Sequence, residues 1–84
     1  MITILYFARL REALGRSSEQ VELPAEVRDL AALRQWLAAR GDAWSEAMGS
    51  GRNVRAAVNQ TMALGNEPVK SGDEVAFFPP VTGG

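Results

Sequence analysis

The stretch GDEVAFFPP, residues 72–80, decides the fold. In a strand successive side chains point to opposite faces, so the polar Glu74 assigns Val75 and Phe77 to the core and sends Ala76 and Phe78 outward. Residues 70–73, Lys-Ser-Gly-Asp, form a tight turn that feeds this strand. Pro79 and Pro80 end it, because neither can donate to a sheet ladder. The last strand therefore carries one aromatic ring on each face.

Working outward, residues 2–7 (ITILYF) are β-branched and aromatic and read as a central strand. Thr3 is the polar member of its set, so Ile2, Ile4 and Tyr6 face the core while Leu5 and Phe7 face out. Residues 8–14 make a short helical turn closed by Gly15, and residues 20–23 alternate as a second strand. Asp29 caps a helix running to about Arg40 and stopped by Gly41. Leu30, Leu33 and Leu37 form its apolar stripe, with Trp36 at the edge, and core packing explains that stripe. Residues 42–48 make another short helix, and the Gly-Ser-Gly that follows is a turn, since a phosphate loop would need a preceding strand and a following lysine. Residues 54–58 form a third strand with Arg55 outward and Val54, Ala56 and Val58 inward. Asn59 and Gln60 turn it into residues 61–64. The order predicts a single α+β domain over residues 1–84, a mixed sheet of about five strands with one main helix on one face.

If the first and last strands are neighbours, Leu5, Phe7 and Phe78 make a contiguous apolar patch on the outer face, a footprint for a partner. The alternative, which the sequence leaves open, is that the helical turn after the first strand folds over it.

Composition removes whole classes of function. The chain has 84 residues, 46% hydrophobic and 23% charged, with a formal net charge of −1, which suits one globular core and supplies no basic surface for nucleic acid or an anionic membrane. Neither cysteine nor histidine occurs, so there is no thiolate nucleophile, no Ser/His or Cys/His pair and no conventional zinc site. The acids are dispersed, so no metal site is expected. The apolar start is seven residues long without a basic lead, neither a signal peptide nor a membrane span, and a cytoplasmic location is the expectation.

What remains is the end, FFPPVTGG. Two terminal glycines arise by chance in roughly one protein in two hundred at average glycine usage. Here they follow two prolines that favour an extended path, so that residues 79–84 form a tail reaching roughly 15–20 Å from the sheet. Val81 and Thr82 offer grips to a partner. Gly83 and Gly84 have no side chain, fit a passage of backbone width, and present the Gly84 carboxylate first. That carboxylate is ionised and a poor acyl donor until another protein activates it, for instance as an acyl-adenylate made with ATP.

The segments ILYFARLREALG, ALRQWLAA, AAVNQT and above all GDEVAFFPPVTGG resemble the MoaD family of ubiquitin-like sulfur carriers, the small subunits of molybdopterin synthase, across nearly the whole chain. The resemblance implies a β-grasp fold. It also implies that a partner enzyme adenylates Gly84 with ATP and that a sulfur donor converts it to a thiocarboxylate. The tail would then enter the large synthase subunit and pass sulfur to cyclic pyranopterin monophosphate, within a heterotetramer of two small and two large subunits. The chain itself would bind no cofactor, and catalytic side chains would sit on the large subunit. Within that scheme Gly84 carries sulfur and Gly83 gives clearance, while Pro79, Pro80, Val81 and Thr82 guide the tail. Phe7 and Phe78 anchor partners, Arg11 pairs with an acidic group beside the patch, and Met62 extends it. A carrier for thiamin thiazole synthesis and a ubiquitin-like modifier are the competing readings.

Overall fold

The computed structural model describes residues 1–49 and 53–79. Five strands form one mixed sheet in the order β2-β1-β5-β3-β4. They are β1 (Ile2–Tyr6), β2 (Ser18–Val21), β3 (Arg55–Val58), β4 (Thr61–Met62) and β5 (Glu74–Phe78). The helices are α1 (Ala8–Leu14), α2 (Leu30–Ala38) and α3 (Asp42–Met48). The last strand lies at the centre, parallel to β1 and antiparallel to β3. This is the α+β β-grasp arrangement expected from the sequence.

One face of the sheet holds the core. Ile2, Ile4 and Tyr6 of β1 and Val75 and Phe77 of β5 are buried against Leu30, Leu33 and Leu37 of α2, as the alternation required. Asp29 caps α2 by accepting from the Ala32 amide at 2.8 Å, and Asn66 accepts from the Ala31 amide at 2.8 Å, so two otherwise orphaned donors are satisfied. Leu10 and Leu14 of α1 and Met48 of α3 join the same core. Gly15 ends α1 in the left-handed region at φ 73°, where its lack of a Cβ removes the usual cost.

β1 and β3 are each one residue shorter than the sequence reading, and three further boundaries differ from it. The second strand spans Ser18–Val21 rather than residues 20–23, because pairing of Ile2 with Val21 and Leu5 with Ser18 fixes its register. α2 ends at Ala38, and Gly41 serves as the N-cap of α3. β4 stops at Met62, which leaves Leu64 almost fully exposed.

Two polar devices brace the sheet. Asn59 and Gln60 take positive φ values of 50° and 69°, the mirror-image turn that a two-residue hairpin needs. The Asn59 amide nitrogen donates to Asp73 Oδ1 at 3.0 Å while its oxygen accepts from the Glu74 backbone at 3.0 Å, which clamps the β3–β4 hairpin to the start of β5. The bond from Asn59, with that from the Lys70 backbone, holds the buried Asp73 carboxyl below its ordinary range.

The second device surrounds Glu19. Its carboxylate accepts from the Tyr6 hydroxyl and pairs with Arg40 at 2.8 Å and Arg16 at 3.1 Å. Both guanidinium groups also lie over the Trp44 ring. Burial alone would raise the Glu19 carboxyl, but the bonds from Arg40 and Tyr6 and the two positive charges prevail and lower it. Burial and the Glu19 bond push the Tyr6 phenol well above its ordinary value. A carboxyl whose folded pKa is depressed adds stability above its unfolded value, and that contribution is lost as pH falls through the folded value. Resistance to urea should therefore fall progressively below about pH 4.3. Glu19→Gln should flatten this fall, leaving the part due to Asp73; an unchanged slope would contradict the assignment.

Candidate functional site

The outer face of the sheet is built by register. Leu5 pairs with Ala76, Ala76 with Ala57, and Ala57 with Met62, so these four side chains form one row across β1, β5, β3 and β4. Beyond that row, Phe7 and Phe78 meet edge to face with ring centroids 6.5 Å apart and an interplanar angle of 71°. Phe7 and Met62 are each 45% exposed, and Leu5, Ala76 and Phe78 are half-buried. Ser18 borders the patch beside Leu5, and Thr3 and Glu74 border it below. The result is a shallow apolar surface with a polar rim, the anatomy of a protein-docking face.

The helix α1 does not cover this surface, and the reason is local. Phe7 donates its backbone N–H to the Phe77 carbonyl at 3.1 Å, and Ala8 then takes φ 53°. A left-handed alanine costs about 1–2 kcal/mol. That bend carries α1 to the opposite face, where Leu10 and Leu14 are buried, and leaves Phe7 outside.

Adjacent residues of β5 thus serve opposite faces. Phe77 is fully buried and stacks on Tyr6 with centroids 6.4 Å apart, whereas Phe78 opens to the patch. Pro79 follows, half-buried beside Arg9, Leu10 and Val54 around a cavity of about 270 Å³. The expected site residues Pro80, Val81, Thr82, Gly83 and Gly84 lie outside the described residues.

The structure brings Phe7 and Phe78 together, sets Met62 on the same face two strands away from β5, and places Arg11 apart from the sheet row, exposed on α1 four residues beyond Phe7. The sequence reading did not single out Ala57, although alternation from Arg55 places it outward, with Ala76, as the floor of the patch. A larger cavity of about 510 Å³ between α2 and the β3–β4 hairpin is lined by residues such as Leu30, Arg34, Val54 and Asn66 and holds no carboxylate, hydroxyl or thiol. Among the described residues no group of acids could hold a metal ion. What this geometry offers is an apolar face beside Phe78 and Pro79, at the end of the central strand.

Residues 4–84 match the ThiS family. Over the full length of both chains, the sequence is 48% identical to a molybdopterin synthase sulfur carrier subunit of Escherichia coli (strain K12) and 42% identical to that of Haemophilus influenzae. Among solved structures, subunits 1 and 2 of the molybdopterin-converting factor of Helicobacter pylori have been determined as a protein–protein complex. A chain of it superposes with a TM-score of 0.66 at 24% identity, covering 99% of this chain and 97% of that one, a likeness of fold.

Proposed function

The chain belongs to the ThiS family, and from that membership we propose that it is the sulfur carrier subunit of a molybdopterin synthase, with Gly84 as the carrying group. The observation that carries this reading is the placement of the exposed Phe7–Phe78 pair at the root of the tail, in a chain with neither cysteine nor histidine. Such a chain serves better as a carried acyl group than as an autonomous catalyst.

The chemistry then divides between the chain and its partners. An activating enzyme joins the Gly84 carboxylate to the α-phosphate of ATP with loss of pyrophosphate. A sulfur donor displaces AMP and leaves a thiocarboxylate, a far better nucleophile than the carboxylate it replaces. Gly83 and Gly84 admit the end into a narrow passage, with Pro79, Pro80, Val81 and Thr82 guiding it. The large synthase subunit supplies the catalytic side chains, and cyclic pyranopterin monophosphate receives the sulfur. Two small and two large subunits form the working assembly, in the cytoplasm. The chain binds no cofactor of its own.

Intact-mass analysis tests this directly. After incubation with activating enzyme, ATP and a sulfur source, the protein should gain the mass of one sulfur in place of one oxygen. Adding the large subunit and pterin precursor should return the original mass. No gain with competent partners would overturn the carrier reading, and a gain that the large subunit cannot discharge would favour the thiazole carrier.

A further inference from the structure

Arginine is unevenly employed in this fold. The chain has eight arginines. Arg16 and Arg40 are paired with Glu19, Arg28 donates to the Ala25 carbonyl, and Arg34 donates to the Met48 carbonyl. Arg52 lies outside the described residues. The other three, Arg9, Arg11 and Arg55, are exposed, and among the described residues none of them has an ion pair or a side-chain hydrogen bond.

These three belong to one end of the sheet. Arg55 opens β3 and stands opposite Phe78, so its side chain shares the outer face with that ring. Arg9 lines the small cavity beside Pro79, with Val54 also in its wall. Arg11 lies on the same helix as Arg9, where Glu12 is the lone acid. Asp73 and Glu74 stand at the other end of β5, where Asn59 holds the Asp73 carboxylate and the Glu74 backbone N–H. The central strand therefore runs from an acidic start to a basic finish, with the tail leaving from the basic end.

We infer that Arg9 and Arg55, with Arg11, form a cationic collar around the tail root that engages carboxylates rimming the opening through which a partner protein receives the tail. This rests on the carrier reading above and adds the chemistry of the partner's surface. The collar flanks the Phe78 end of the apolar patch, and charged groups beside an apolar surface fit a protein partner. Separated guanidinium groups in water hold little of a complex's final affinity; their field guides encounter and orients the tail before the rings dock.

Stopped-flow association with the large synthase subunit, followed over a range of salt concentrations, tests the collar. The Arg9→Gln/Arg55→Gln variant should associate about tenfold more slowly at low salt, with a flatter salt dependence and dissociation within about twofold of the parent. Its thermal midpoint should match that of the parent. Arg28→Gln, which removes a charge elsewhere, should change neither rate. A double variant that associates at the parental rate, or an equal effect from Arg28→Gln, would overturn the collar. Failure of the parent to bind the large subunit at all would instead count against the carrier reading.

Discussion

Phe77→Ala is expected to cost the domain about 3–5 kcal/mol, the range for emptying a buried aromatic site, whereas Phe78→Ala should leave the fold nearly as stable as before. The two residues are neighbours in sequence and identical in kind, and only the face they serve differs. Phe77 is fully buried, stacked on Tyr6, whose other side meets Trp44 edge to face at 5.7 Å. Small domains hold about 5–15 kcal/mol in total, so the first substitution leaves a marginal protein. The second removes a ring from the patch proposed to dock the partner and should weaken partner binding by about 2 kcal/mol, roughly thirtyfold. Urea unfolding and titration calorimetry against the large subunit measure the two effects. If both variants lose stability alike, the face assignment is wrong.

Deleting Gly84 is expected to abolish sulfur transfer while leaving the folded domain and its docking intact. The described contacts that hold β5 end at Pro79, so removing the terminal residue disturbs none of them. The shortened chain ends at Gly83, one residue short of the proposed carrying group. It should show no mass gain on charging, yet bind the large subunit with nearly parental affinity and compete with the intact chain. Gly83→Val tests clearance separately, because a branched side chain obstructs a passage of backbone width. Transfer from the Gly84-deleted chain at the parental rate would place the reactive group elsewhere.

Much of this was legible in the sequence because the deciding signals are local. Thr3 and Glu74 each mark the polar face of their strand, and Asp29 before an apolar heptad-like stripe announces a capped helix. The outward direction of Leu5, Phe7 and Phe78 followed from alternation, and pairing of β1 with β5 joins them into one patch, which Met62 extends once the Asn59–Gln60 turn is known to contain two residues. What escaped depends on tertiary context. Ala8 takes a left-handed conformation that its residue type does not signal, and this bend settles whether α1 hides or reveals Phe7. β2 is an edge strand whose exposed Ser18 and Gln20 carry no apolar alternation, so its register came from pairing with β1. The clamp by Asn59 joins residues distant in sequence, and the preference of asparagine for turns masks its second role.

The central position of β5 also has a mechanical meaning. A partner that draws on the tail pulls β5 along its own axis, and that strand is bonded on both sides, to β1 and to β3. Such a load is borne in shear by both ladders together, whereas an edge strand pulled sideways would part bond by bond like a zip. A load applied at the end of β5 would leave the body behind it in shape, as a rope made fast to a cleat at the middle of the deck.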